Sequence, residues 1–196
     1  MEYSTTGDRG CWWFSSAGTP AAKSGRFDLP LPRGTCYLSI DEEGAARERV
    51  GTQIVKRAGR ESVLASVLTA DPGRRVIVSA VQVPRTRTAN VSVRPAQRWV
   101  NRSLWSGTGI YAITQAWAAK FDEAGFGGVR YPPRFTLGPG AMALALFGPA
   151  KQPIPSWSID SSRTLEQVLT DTGVRIVSPP RSAPDVLASD TAPPPL

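Results

Sequence analysis

The chain has 196 residues, 41% of them apolar and 20% charged, so it fits one globular domain with its own hydrophobic core. It contains no histidine, which excludes Ser-His-Asp and Cys-His nucleophile pairs and any histidine-ligated metal site. The net charge of +7 suggests an anionic ligand, an acidic partner or nucleic acid, although no run of clustered basic residues marks a nucleic-acid groove.

The first half of the chain reads as short strands around one long helix. Residues 1–14 are predicted to be an extended entry, and residues 15–25, rich in Ser, Ala, Gly and Lys, a loop. Alternating residues predict a strand over 35–40. Asp41 is a suitable N-cap for a helix that we expect to continue to about residue 59. Further strands are predicted over 62–69, 75–83 and 87–93.

The second half contains a strong amphipathic helix and the last core strands. A weak helix is predicted over 96–104, followed by the amphipathic helix over 108–124, with Ile110, Ile113, Trp117 and Phe121 facing inward. Strands are expected over 126–131 and 141–147, and residues 154–178 suggest strand, short helix and strand. Residues 179–196 read as a Pro-rich disordered tail, which leaves 1–178 as a single domain. Several strands with few helices, not in strict alternation, predict an α+β fold.

The chain contains one segment that resembles a dinucleotide-binding fingerprint. Residues 138–143 fit the loose pattern G-x-G-x-x-A, but Pro139 removes an N–H donor, and a strand follows where a helix is needed. We therefore reject a Rossmann site. No signal-peptide pattern and no membrane-length apolar run is present, so we expect a cytoplasmic protein that does not bind membranes.

Several polar residues are candidates for a site. Taken singly, Arg26, Tyr37 and Glu48 have ordinary alternatives as a surface arginine, a core tyrosine and a solvated helix residue. Tyr131 and Arg134 follow a Gly-Gly turn and are equally explained by turn packing and surface charge. A guanidinium, a phenol and a carboxylate together suit a substrate that is anionic at one end and is cleaved at a glycosidic bond at the other.

The order of these residues resembles the signature of the RES domain, whose members are bacterial toxins that degrade NAD. The matching blocks are Gly-Arg-Phe-Asp at 25–28, Gly-Thr-Cys-Tyr-Leu-Ser at 34–39, Ala-Ala-Arg-Glu at 45–48, Gly-Phe-Gly-Gly-Val-Arg-Tyr-Pro-Pro-Arg at 125–134 and Ala-Leu-Ala-Leu-Phe-Gly at 143–148. Together with the intervening helix they cover most of residues 9–148.

The resemblance implies an ADP-ribosyltransferase-like fold of two small, mainly antiparallel sheets with flanking helices. It implies cleavage of the nicotinamide–ribose bond of NAD, as an NAD phosphorylase or glycohydrolase. Catalytic roles would fall to Arg26 and Glu48. Substrate-binding roles would fall to the remaining matched side chains: Tyr37, Ser39, Tyr131 and Arg134. No cofactor or metal is implied, because NAD is the substrate, with water or phosphate as acceptor.

The resemblance also implies a partner, an antitoxin of the Xre type that blocks the cleft, and no direct binding to nucleic acid. Two features depart from the family. An arginine expected in the first strand is not matched, and Pro133 stands where the family has a serine, for which Ser39 is a possible substitute. The alternative is therefore a catalytically degenerate RES-like module that retains partner or ligand recognition. A basic nucleic-acid-binding protein is the weakest reading.

Overall fold

The described part of the chain is built around one large sheet. The computed structural model describes residues 2–6, 11–18, 24–71, 74–94, 111–136, 138, 140–151 and 157–178. Its strands are β1 (Glu2–Thr6), β2 (Arg33–Ser39), β3 (Val55–Arg57), β4 (Arg60–Leu64), β5 (Thr69–Asp71), β6 (Arg74–Arg75), β7 (Ile77–Gln82), β8 (Thr88–Asn90), β9 (Gly128–Tyr131), β10 (Ala143–Pro149), β11 (Ser158–Thr164) and β12 (Arg175–Val177). Its helices are α1 (Glu42–Val50), α2 (Ala112–Glu123) and α3 (Leu165–Asp171).

Seven strands form the main sheet in the order β11-β7-β1-β2-β10-β9-β8, and three form a second sheet in the order β12-β4-β3. Strands β5 and β6 make a separate two-stranded ribbon. The pairs β8–β9 and β12–β4 are parallel, and the other strand pairs of the described residues are antiparallel. The predicted α+β class with mainly antiparallel sheets is confirmed.

The two faces of the main sheet carry different cores because successive side chains of a strand point to opposite sides. On one face, Ala143, Ala145 and Phe147 pack with Val129 and the helix residue Ala118. On the other face, the alternate β10 residues, Leu144 and Leu146, pack with the N-terminal segment and Trp157. Helices α1 and α3 share a further core with β7 on the first face. We call the first the helix face and the second the back face.

Helix α1 begins where the sequence predicts and ends earlier. The side chain of Asp41 accepts a hydrogen bond from the backbone N–H of Gly44 at 2.5 Å, which confirms the predicted N-cap. The helix stops at Val50, not near residue 59, because Gly51 adopts a φ of +55° that ends the helix. The chain then enters a 3-10 turn and β3, at positions that we predicted to be helical.

Helix α2 confirms the amphipathic helix predicted near residues 108–124, but the face that is buried differs from the predicted one. Thr114 and Ala118 are buried, whereas Ile113 is 51% exposed, so its predicted inward orientation is wrong. Trp117 and Phe121 pack against the core as expected. The predicted helix over 96–104, Ile110 and the tail over 179–196 lie outside the described residues. None of the described helices has the length and apolarity needed to cross a membrane.

Candidate active site

A cavity of about 230 Å³ lies on the helix face, between the sheet and α1. Its floor is a row of four residues that are directly paired across neighbouring strands: Tyr3, Ser39, Ala143 and Tyr131. The two middle residues are small and the two outer residues carry phenol rings. The row therefore forms a notch whose depth comes from Ser39 and Ala143. Helix α1 contributes Ala45, Glu48 and Arg49 to the opposite wall.

Glu48 is held in this wall by a backbone donor from a distant loop. Its Oε1 accepts a hydrogen bond of 2.5 Å from the N–H of Phe135. The backbone N–H of Arg134 also donates to this carboxylate. Burial raises the pKa of Glu48 above the ordinary value for a glutamate. This pKa is lowered by the two N–H groups and by the positive charges of Arg26 and Arg134. Their combined effect is smaller than that of burial.

The loop that carries Arg26 is fixed by hydrogen bonds to the backbone N–H and carbonyl groups of residues 25–27. Asp28 accepts from the N–H of Gly25 at 2.6 Å, and the hydroxyl of Tyr37 accepts from the N–H of Phe27 at 2.8 Å. From α2, Thr114 donates to the carbonyl of Arg26 at 2.6 Å, and Gln115 donates to the carbonyl of Gly25 at 3.0 Å. These hydrogen bonds hold the loop that carries Arg26 in one position against β2 and α2.

The guanidinium of Arg26 lies against the ring of Tyr131, with its central carbon 5.5 Å from the ring centroid. Its Nε and Nη1 atoms are buried and have no hydrogen-bond partner among the described residues. A buried donor without an acceptor is unfavourable and rare in folded proteins. Arg26 does not line the described cavity wall, but its positive charge lowers the pKa of two residues that do, Glu48 and Tyr131, so the guanidinium lies near the carboxylate. We therefore regard the free donors as a place for an anionic ligand.

The two tyrosines contribute in different ways. The hydroxyl of Tyr37 donates to Asp28 at 2.8 Å while it accepts from Phe27, so only its ring is available to the cavity. Tyr131 is buried, and its ring packs 4.7 Å from that of Phe27. Burial raises the pKa of both phenols well above the ordinary value, so both stay protonated at neutral pH.

The remaining predicted residues lie at different distances from the cavity. Ser39 lines it, and its hydroxyl makes a long hydrogen bond of 3.5 Å to the carbonyl of Met142. Arg134 is not among the described residues that line the cavity. Its guanidinium carbon lies 4.8 Å from the centroid of the Phe135 ring, and its positive charge lowers the pKa of Glu48. Pro133 is buried and offers no hydroxyl. The only serine hydroxyl in the described cavity wall is therefore that of Ser39.

Several residues of the site were missed from the sequence. Asp28 stands two positions after Arg26, and its role depends on Tyr37, nine positions away. Tyr3 and Ala143 enter the cavity through strand register, for which a single sequence carries little signal. Arg49 lines the same wall as Glu48, and its position directly after Glu48 on α1 is the sequence signal for it. No group of three or more Cys, Asp or Glu residues in the described part of the chain is placed to hold a metal ion.

Comparisons with known proteins identify the family of this chain and a solved structure with a similar fold. The family model of the RES domain matches residues 9–166. A crystal structure of the M. tuberculosis MbcT-MbcA toxin-antitoxin complex contains a chain similar to this one, with a TM-score of 0.58, 16% sequence identity and coverage of 86% of each chain. At that identity the similarity shows a shared fold. A search of curated proteins found no significant sequence match.

Proposed function

This chain belongs to the RES-domain family, and we propose that it degrades NAD by cleaving the bond between nicotinamide and ribose. The observation that carries the proposal is the buried guanidinium of Arg26, which has free donors and lies close enough to Glu48 for its charge to lower the pKa of that carboxylate. A dinucleotide supplies both a diphosphate for the first group and a glycosidic bond for the second.

Glu48 suits the bond-breaking step. When the C–N bond breaks, nicotinamide leaves with the bonding electrons and the ribose becomes an oxocarbenium-like cation. A carboxylate held in a site of low polarity stabilises that cation more strongly than one in water. The N–H of Phe135 holds one carboxylate oxygen at 2.5 Å, so the group is oriented before the reaction begins. Water or phosphate then attacks the same ribose carbon and gives up a proton.

Arg26 suits the anionic part of the substrate. Its planar guanidinium can donate two parallel hydrogen bonds to diphosphate oxygens or to an incoming phosphate. The hydrogen bonds from Thr114 and Gln115 fix its loop, which reduces the loss of conformational freedom on binding. The cavity of about 230 Å³ is small for a whole dinucleotide, so we place the nicotinamide riboside end inside it. The exposed Arg49 then stands near the outer part of the ligand.

We further propose that the protein is the toxin of a toxin–antitoxin pair. Support comes from the family membership and from the fold shared with a chain of the MbcT-MbcA complex. The partner would be an antitoxin of the Xre type, and loss of cellular NAD would be the toxic effect.

One observation favours a second candidate. Pro133 occupies the place of the family serine, and a site without that hydroxyl fits a degenerate module that binds a ligand or partner without turnover. Under the enzyme proposal, the hydroxyl of Ser39 in the cavity floor replaces it. An Ser39→Ala variant that retains full turnover would contradict this substitution.

Nicotinamide release from NAD by the purified protein tests the proposal. We expect release at catalytic rates, with free ADP-ribose as product when water is the acceptor and a phosphorylated ADP-ribose when phosphate is. Mass spectrometry of the products with and without phosphate distinguishes the two. Binding of NAD without any nicotinamide release would support the degenerate module instead. Absence of both binding and release would refute the assignment of the cavity to NAD.

A further inference from the structure

A second cavity lies on the back face of the main sheet, and we propose that it binds an acidic segment of a partner protein that inserts an apolar side chain. We call it the back cavity. It has a volume of about 330 Å³. Its floor is formed by two leucines and its rim by arginines, threonines and the turn after β7; the lining residues are Val83, Pro84, Arg85, Thr86, Thr88, Arg130, Leu144 and Leu146.

The back cavity is separate from the site around Glu48. Leu144 is paired with Arg130 across β10 and β9, whereas the next pair along the same strands is Ala143 with Tyr131. Neighbouring residues of a strand point to opposite faces, so Arg130 and Leu144 point away from the NAD site. A segment bound in the back cavity therefore leaves the NAD site open, and the inference does not depend on the proposed enzymatic activity.

The rim of the back cavity carries positive charge that no acidic side chain of the described residues neutralises. Arg85 and Arg130 are both exposed, and neither has an ion-pair partner among the described residues. Arg87 lies beside them, with its guanidinium 4.1 Å from the centroid of the Phe126 ring. Residues 72–121 contain eight basic residues and no Asp or Glu, although the whole chain carries only +7. The rest of the chain is therefore nearly neutral, and Arg85 and Arg87 of this basic segment lie in the turn after β7 that forms part of the rim.

The shape and chemistry favour an acidic protein segment over nucleic acid. Leu144 and Leu146 form an apolar floor, which suits an aliphatic or aromatic side chain and offers nothing to a phosphate. Bases bind single-strand sites by stacking on aromatic rings. Among the residues that the structure describes, none of those lining the cavity is aromatic, and the nearby Phe126 is already covered by Arg87. An apolar residue flanked by carboxylates matches both the floor and the rim.

Peptide titration of the full chain tests this proposal. The probes are a rhodamine-labelled peptide of glutamates around two leucines, the same peptide with serines for leucines, and a short DNA duplex, each followed by fluorescence anisotropy. We expect the leucine peptide to bind most tightly. Arg85→Glu and Arg130→Glu should each weaken its binding roughly tenfold, because an attractive charge becomes repulsive. Arg57→Glu is the matched control, since this exposed arginine lies on the other sheet and changes the net charge equally.

Methyl NMR during the same titration locates the peptide independently of affinity. Signals of Leu144 and Leu146 should move, and that of Ala143, on the opposite face, should not. Equal binding of the serine peptide, an equal loss in the Arg57→Glu control, or movement of the Ala143 signal alone overturns the proposal. Tighter binding of the DNA duplex that is lost in the Arg85→Glu variant overturns it too, in favour of a nucleic-acid surface.

Discussion

Replacing Glu48 with glutamine is the most direct test of the proposed chemistry. The amide keeps the shape of the side chain and an oxygen that accepts the hydrogen bond from Phe135, so the wall of the cavity is preserved. What is lost is the negative charge beside the developing ribose cation. Removing one oriented electrostatic group from an active site typically lowers kcat by about 100- to 1000-fold, or roughly 3–4 kcal/mol. We expect a loss of that size in nicotinamide release.

The same substitution should barely alter stability. Exchanging a hydrogen bond to a charged oxygen for one to a neutral oxygen costs about 1 kcal/mol. That loss is partly offset because burial, which raises the pKa of Glu48, makes its charged form more costly in the folded chain than in water, and a neutral amide avoids this cost. A net change within about 1 kcal/mol corresponds to a shift in Tm of roughly 2–4 °C for a domain of this size.

The assay is nicotinamide release at saturating NAD, with Tm measured on the same preparations. Glu43→Gln is the matched control: it lies on the same helix, pairs with Arg47 at 2.6 Å and does not line the cavity. We expect this control to keep full activity, since helix pairs at this spacing contribute only about 0.3–0.5 kcal/mol and Arg47 keeps its second partner, Glu61. A folded Glu48→Gln variant with more than about a tenth of wild-type kcat is incompatible with the electrostatic role.

Three further predictions concern groups around the cavity. Arg26→Met should reduce NAD turnover by about 100-fold yet leave Tm unchanged or higher, because it removes buried donors that have no partner; a clear fall in Tm would show that the guanidinium is satisfied in the free protein. Arg134→Gln should move the acidic limb of the pH–kcat/KM profile to higher pH, since the charge of Arg134 lowers the pKa of Glu48, whereas Arg49→Gln should leave that limb in place. Burial raises the pKa of Asp28 in the folded state. The stability that its carboxyl contributes is therefore greatest below the unfolded pKa of about 3.9, and it is lost as the pH rises through the folded pKa. Asp28→Asn should therefore gain in stability relative to wild type as pH rises from about 4 toward neutral, as measured by urea unfolding; a constant difference would argue against a raised pKa.

Local patterns in the sequence determined much of what surrounds the site. Asp41 at the start of α1 was predictable because an N-cap needs only a side-chain oxygen and the next three residues. The α+β class followed from the density and order of the apolar segments. The end of α1 was not predictable from periodicity alone, because the positive φ of Gly51 turns the chain although polar and apolar residues continue in a helical pattern. Ile113 shows the same limit, since the face of α2 that is buried depends on what packs against it.

The sequence by itself identified the family blocks and most of the polar residues now found around the cavity. Only the tertiary structure decided how they act together. Strand register placed Tyr3, Ser39, Ala143 and Tyr131 in one row, and the fold brought the N–H of Phe135 to Glu48 across 87 positions of the chain. Such contacts join residues that are far apart along the chain. Their geometry is set by the pairing of whole strands, which no single residue or short motif specifies.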